Sequence, residues 1–175
     1  IVGCVPGELL KNAFLCVSVM KKQISIDYDY LDHWSELDAG DQSLVAAARE
    51  AMETAYAPYS EFRVGASLLL SNGTVVKGSN QENIAYPSGL CAERVALFYA
   101  GANFPDEQVE TLCVIARGKL LEHKAILSPC GGCRQVMVET QRRQKKAYRV
   151  LLVNQDESVV VFDSAVSLLP LAFGV

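Results

Sequence analysis

Histidine is nearly absent from this chain of 175 residues, which has only His33 and His123. Both stand outside any ligand-spaced motif, so they read as surface or hydrogen-bonded side chains rather than metal ligands. Basic charge is short too: 16 Lys and Arg face 20 Asp and Glu, for a net charge of −4 and a pI near 5.2. Without a basic stripe, a polyanion such as nucleic acid is excluded as the main partner. No apolar run approaches the roughly 20 residues that span a bilayer, which leaves no place for a membrane helix. The densest stretch near the start, Ala13 to Met20, has eight positions and includes Ser18. Six cysteines are too few, and too unevenly placed, for a disulfide-stapled scaffold. There is no internal repeat and no low-complexity linker. With 50% hydrophobic and 21% charged residues, what remains is a globular chain long enough to bury a sizeable core as one domain.

The first 40 residues read as an extension. Met20-Lys21-Lys22-Gln23 resembles an ordinary translation start, which would make residues 1–19 upstream additions. A signal peptide is the competing reading, with Lys11 ahead of a short apolar core. No small-residue cleavage site follows before Lys21, so the tail is set aside. Ile24, Ile26, Tyr28 and Tyr30 then alternate with polar residues, the pattern of a half-buried strand over 23–30. From residue 41 the pattern changes. Asp41 is placed to cap a helix whose apolar positions run from Leu44 to Ala55, ending before Pro58. Arg63–Ser71 and Thr74–Lys77 flank the turn Asn72-Gly73, a hairpin. A helix over about 91–100, a strand over 110–117, a helix over about 131–141, strands over 149–154 and 158–162, and a short turn at 165–169 complete the chain. A hairpin followed by alternating strands and helices implies an α/β domain over 41–175, with a mixed sheet and helices on both faces.

Three cysteines carry the chemistry. Cys91-Ala92-Glu93 opens one helix and Pro129-Cys130-Gly131-Gly132-Cys133 opens another. Cys130 and Cys133, three apart, share a helical face and suit one ion. With Cys91 they make a three-thiolate site for Zn²⁺ whose fourth position stays open, as in catalytic rather than structural sites. Helix N-termini favour the thiolates by roughly 0.3–1 kcal/mol each. Arg94 and Gln135 stand where they can donate hydrogen bonds to the sulfurs. Glu93, two residues from Cys91, brings a carboxylate to the open position, ready to take a proton from water held there. A redox pair would want a thioredoxin-like context, and a purely structural zinc module would want a fourth Cys or His. Neither requirement is met. Free thiols in this arrangement point to a reducing, cytoplasmic compartment.

Together with Phe62-Arg63-Val64-Gly65-Ala66, Gly78-Ser79-Asn80-Gln81-Glu82-Asn83 and Leu168-Leu169-Pro170-Leu171-Ala172-Phe173, these motifs closely resemble the small homotetrameric cytidine deaminases. The resemblance covers Asp41 to Phe173, about three quarters of the chain. It implies a cytidine-deaminase-like three-layer α/β/α fold with a mixed five-stranded sheet, opening with a helix and a β-hairpin. It implies hydrolytic deamination of cytidine and deoxycytidine to uridine and deoxyuridine, in pyrimidine salvage, with one Zn²⁺ per subunit. Cys91, Cys130 and Cys133 would hold the metal. Glu93 would carry protons to the ring nitrogen N3 and to the departing amine.

By the same resemblance Asn80 and Glu82 would bind the sugar 3′-hydroxyl and Phe62 would wall the base. The backbone of Ala92 and the carbonyl of Ser128 would position the pyrimidine edge. Tyr86 and Phe173 would reach across subunit interfaces of a homotetramer, neighbouring subunits completing each site. Ser79 and Ile84 depart from the usual pattern, and Ile84 stands where it would narrow the pocket near a neighbour's 5′-hydroxyl contact. Gly118 to Ala125 reads as a polar surface insertion, and Arg142 to Lys146 as a solvated helix cap rather than a nucleic-acid patch. Two alternatives remain: a deaminase of a modified or antibiotic cytosine nucleoside, and a zinc-stabilised interaction module. Glu93 separates the last from the enzymes, since a structural site has no use for an acid there.

Overall fold

Strand-like alternation near the N-terminus finds hydrogen-bond partners only at its far end. In the structure, a computed structural model that describes residues 20–174, the strand expected over 23–30 is β1 (Asp29–Leu31) alone. Only Asp29, Tyr30 and Leu31 pair, opposite Val161, Val160 and Val159, and the alternating side chains Ile24, Ile26, Tyr28 and Tyr30 remain half exposed. The tail with its signal-peptide reading lies outside the described residues. After β1, His33 caps a short 3₁₀ turn (Trp34–Glu36), its ring nitrogen accepting from Ser35 N–H at 3.1 Å.

Helix α1 (Ala39–Glu53) begins at a different cap from the one expected. Asp38 accepts the Asp41 N–H at 2.9 Å, whereas Asp41 lies inside the first turn, buried, with its carboxylate 2.8 Å from Arg149. Both aspartates suit a first turn. What decides between them is that the Asp41 side chain has a cation to meet inside. The chain then forms β2 (Arg63–Leu70) and β3 (Val75–Ser79), a hairpin closed at Asn72-Gly73. Helix α2 (Ala92–Asn103), β4 (Val109–Arg117), α3 (Gly131–Gln144), β5 (Arg149–Val153), β6 (Val159–Phe162) and a 3₁₀ turn (Ala165–Leu168) follow.

The sheet runs β1-β6-β5-β4-β2-β3, antiparallel except for the β4–β5 pair. It has six strands rather than the expected five, because β1 adds to the β6 edge. Strand β4 shows how a period of two builds both faces. Cys113 and Ile115 pack with Leu44, Val45, Ala48 and Met52 of α1. Leu112, Val114 and Ala116 pack with Ala96 and Leu97 of α2 and Met137 of α3. Each large apolar side chain so buried contributes about 1.5–3 kcal/mol. The result is the expected three-layer α/β/α sandwich. The basic run behaves as a cap: Arg142 and Arg143 lie in the last turn of α3, and Lys146 pairs with Glu110 at 2.7 Å.

The topology also places the chemistry. Helices α2 and α3 lie on the same face of the sheet, and their N-termini converge beside the carboxyl ends of the central strands, the usual crevice of an α/β sheet.

Candidate active site

Cys91 is the N-cap of α2 and Cys130 the N-cap of α3, and neither side chain is spent on its own helix. Both sulfurs are therefore free to meet. Cys91 Sγ lies 3.9 Å from Cys130 Sγ, which lies 3.5 Å from Cys133 Sγ, and all three fall within 4.8 Å of one another. None is joined in a disulfide. A tetrahedral ion with sulfur ligands at about 2.3 Å would hold them roughly 3.8 Å apart, close to the 3.9 and 3.5 Å found, so this donor set fits zinc. The neighbouring Cys133 thiol, assisted by Arg94, holds the Cys91 thiol well below its ordinary value, against the opposing effect of burial. Arg94 Nη2 stands 3.8 Å from Cys91 Sγ, as expected of a side chain that offsets thiolate charge.

Glu93, in the first turn of α2, is only 4% exposed, and its Oε2 has no hydrogen-bond partner. Burial raises its carboxyl to about 7. A buried carboxylate oxygen without a partner is costly unless something is meant to occupy the space before it. That space is a cavity of about 450 Å³, lined by Glu93, Cys91 and Cys130 together with Phe62, Asn80, Glu82, Tyr86 and Ser128. Its remaining walls are largely apolar, as small-molecule pockets tend to be.

The sequence family described as the cytidine and deoxycytidylate deaminase zinc-binding region matches residues 39–148. A curated cytidine deaminase of Halalkalibacterium halodurans is 39% identical over 132 residues, 75% of this chain and 92% of the relative. The chain belongs to the cytidine deaminase family. The crystal structure of a cytidine deaminase from Burkholderia pseudomallei has a TM-score of 0.65 at 41% identity, covering 75% of this chain and 98% of that one. One from Mycobacterium tuberculosis has a TM-score of 0.59 at 33% identity, covering 79% of this chain and 100% of that one.

Within this cytidine deaminase fold, not every residue singled out from the sequence meets the cavity. Gln135 does not face the sulfurs. Its amide donates to Phe173 C=O at 2.8 Å and accepts Phe173 N–H at 3.1 Å, tying down the C-terminal tail. The reason is helical phase: two residues beyond Cys133, a side chain points roughly 200° around the helix from it. Phe173 itself is 87% exposed and outside the cavity, while Tyr86 lines it at 82% exposure. Ile84 is exposed and outside the lining. Ala92 is fully buried against the sheet.

Asn80 and Glu82 line the cavity with their polar ends partly engaged. Asn80 accepts Val64 N–H at 2.8 Å and donates to Phe62 C=O at 2.9 Å, fixing the Phe62 ring beside the cavity. The Glu82 carboxylate accepts Tyr59 N–H at 2.8 Å and the Ser60 N–H and hydroxyl. A carboxylate offers about four acceptor sites, so capacity for a ligand hydroxyl remains.

Sequence reasoning missed Tyr59 and Ser60, which only the fold brings to Glu82. It also missed the structural task of Arg134, which bonds Pro129 C=O at 2.8 Å, Leu168 C=O at 3.1 Å and the Ser128 hydroxyl, bracing the loop before Cys130. Its place directly after Cys133 was the available clue. The insertion from Gly118 is a loop as expected, but not merely a surface one: Leu120 and Leu121 line the cavity.

Proposed function

We propose that this chain catalyses zinc-dependent hydrolytic deamination of cytidine and deoxycytidine, releasing uridine or deoxyuridine and ammonia in pyrimidine salvage. The observation that carries the reading is the buried Glu93 carboxylate, its Oε2 without a partner, in a cavity that Cys91 and Cys130 line and beside which the three sulfurs cluster. Cys91, Cys130 and Cys133 would hold the zinc, which when bound supplies Lewis-acid activation of water. Glu93 Oε2 takes a proton from the attacking water and delivers it to the pyrimidine N3. The same carboxylate then takes the second proton from the oxygen now bonded to C4 and passes it to the amine; the C4–N bond breaks, ammonia leaves, and the C4 carbonyl forms. A carboxyl poised near 7 can both accept and release a proton at neutral pH. Arg94 steadies the Cys91 thiolate.

Phe62 packs against the base, Asn80 and Glu82 take the sugar 3′-hydroxyl, and the Ala92 backbone and Ser128 carbonyl meet the pyrimidine edge. Residues 41–175 form the catalytic unit and residues 1–40 an extension. The protein works as a cytoplasmic homotetramer. Tyr86 and Phe173 support that assembly, since aromatic rings exposed at 82% and 87% are unfavourable in a lone subunit and suit a site completed by neighbours. The free, closely spaced thiols support a reducing compartment.

The test is an ultraviolet assay of the zinc-loaded protein with cytidine, deoxycytidine and cytosine, alongside a metal count. Turnover of both nucleosides with about one zinc per subunit is expected. Full zinc without turnover would leave a zinc-stabilised module instead.

A further inference from the structure

One wall of the cavity has little structure of its own. Between the end of β4 and the Pro129 that precedes α3, a single backbone–backbone hydrogen bond closes within the segment, Ala125 N–H to Glu122 C=O at 3.0 Å. Yet Leu120, Leu121 and Leu127 all line the cavity from this segment. Its anchors come from elsewhere: Arg134 braces its far end at Ser128 and Pro129, an exposed ion pair joins Lys119 to Glu61 at 3.7 Å, and the stretch between is held by two consecutive side chains in the turn between β5 and β6. Asn154 Oδ1 accepts Leu127 N–H at 2.7 Å. Gln155 Oε1 accepts Gly118 N–H at 3.0 Å and its Nε2 donates to Leu121 C=O at 2.9 Å. The turn that carries them is itself held firmly. The neighbouring Glu157 carboxylate receives the Trp34 indole at 2.8 Å, Arg49 at 2.6 Å and Arg117.

We propose that Gln155, outside the cavity, is a positioning residue for substrate: its amide brackets residues 118–121 so that Leu120 and Leu121 close the apolar side of the nucleoside pocket. This rests on the nucleoside reading of that pocket. With the bracket removed, the wall loosens and the bound nucleoside loses apolar contact in the ground state and transition state alike. A loss of that kind raises KM and spares kcat.

Gln155→Leu keeps the side-chain bulk and removes both hydrogen bonds. It should raise KM for cytidine roughly three- to tenfold, with kcat within about twofold and zinc content unchanged. Leu121→Ala should raise KM as well, and the double variant should fall clearly short of the summed effects, because Gln155 acts in part through Leu121. Gln155→Glu, which can accept from Gly118 but cannot donate to Leu121, should fall between Gln155→Leu and the unaltered protein, and it decides the matter if Gln155→Leu does not fold. An unchanged KM in Gln155→Leu or Gln155→Glu, or fully additive effects in the double variant, would overturn the proposal. Failure of the unaltered protein to deaminate cytidine would instead overturn the functional reading.

Discussion

Replacing Gly78 by alanine should damage catalysis through a helix that Gly78 touches only by its backbone. A Cβ added there would lie 2.6 Å from Ala92 C=O and 2.8 Å from Ala96 N, against an ordinary contact beginning at 3.4 Å. The start of α2 must retreat by the difference, roughly 0.8 Å, because neither neighbour is a flexible side chain. That segment holds Cys91 and Glu93. Overpacking of this kind costs about 1–3 kcal/mol, and each kcal/mol lowers Tm by about 2–4 °C in a chain of this size. A misplacement near 1 Å at a reacting group can reduce turnover about 100-fold. Gly65→Ala is the control. Its Cβ would lie 2.0 Å from Ala48 C=O, a worse clash, but against α1, which lends no side chain to the cavity. Thermal melts, zinc analysis and cytidine turnover, measured well below both melting points, should show the larger Tm drop for Gly65→Ala and the larger kcat loss for Gly78→Ala. Equal kcat losses, or wild-type kcat in Gly78→Ala, would refute the argument that backbone contact at Gly78 sets the position of Glu93.

Glu93→Gln should keep its zinc and its fold while losing about 10²–10⁴ in kcat; unchanged turnover would remove the proton carrier. Cys130→Ala should lose metal by elemental analysis, and a full complement would disprove the ligand assignment. Glu82→Ala should raise KM for nucleosides far more than for free cytosine, although it also frees the Tyr59–Ser60 loop, and an equal effect on both would remove the sugar role. Burial tends to raise the Glu157 carboxyl, but the hydrogen bond and charge of Arg49, the charge of Arg117 and the Trp34 indole outweigh it and hold it below the ordinary carboxylate range. A depressed folded-state pKa gives stability that is present above the unfolded value and lost as pH falls through the folded one. Denaturation curves from pH 7 to pH 3 should therefore fall less steeply for Glu157→Gln than for the unaltered protein, and parallel curves would contradict this.

The sequence alone determined the order of the elements and pointed to the groups proposed to react. Periods of two and of 3.6 are local properties, so β2, β3, β4 and the three helices were legible, and so was the pairing of Cys130 with Cys133 inside one helix turn. The place of Cys91 and Glu93 beside that pair was read from what a zinc ion with one open position requires, and the motif resemblance agreed with it. Tertiary structure decided the rest. The strand at 23–30 shrank to Asp29–Leu31 because Ile24 and Ile26 ahead of it stay half exposed and gain little by pairing, and Asp38 displaced Asp41 as cap because Arg149 lay within reach of Asp41. Gln135 turned to the C-terminal tail, Ser60 came to Glu82, and Gln155 took hold of the insertion whose leucines wall the cavity. Each of these contacts joins residues far apart in the chain. Their geometry is set by how the sheet and helices pack, and no periodicity in the sequence encodes it.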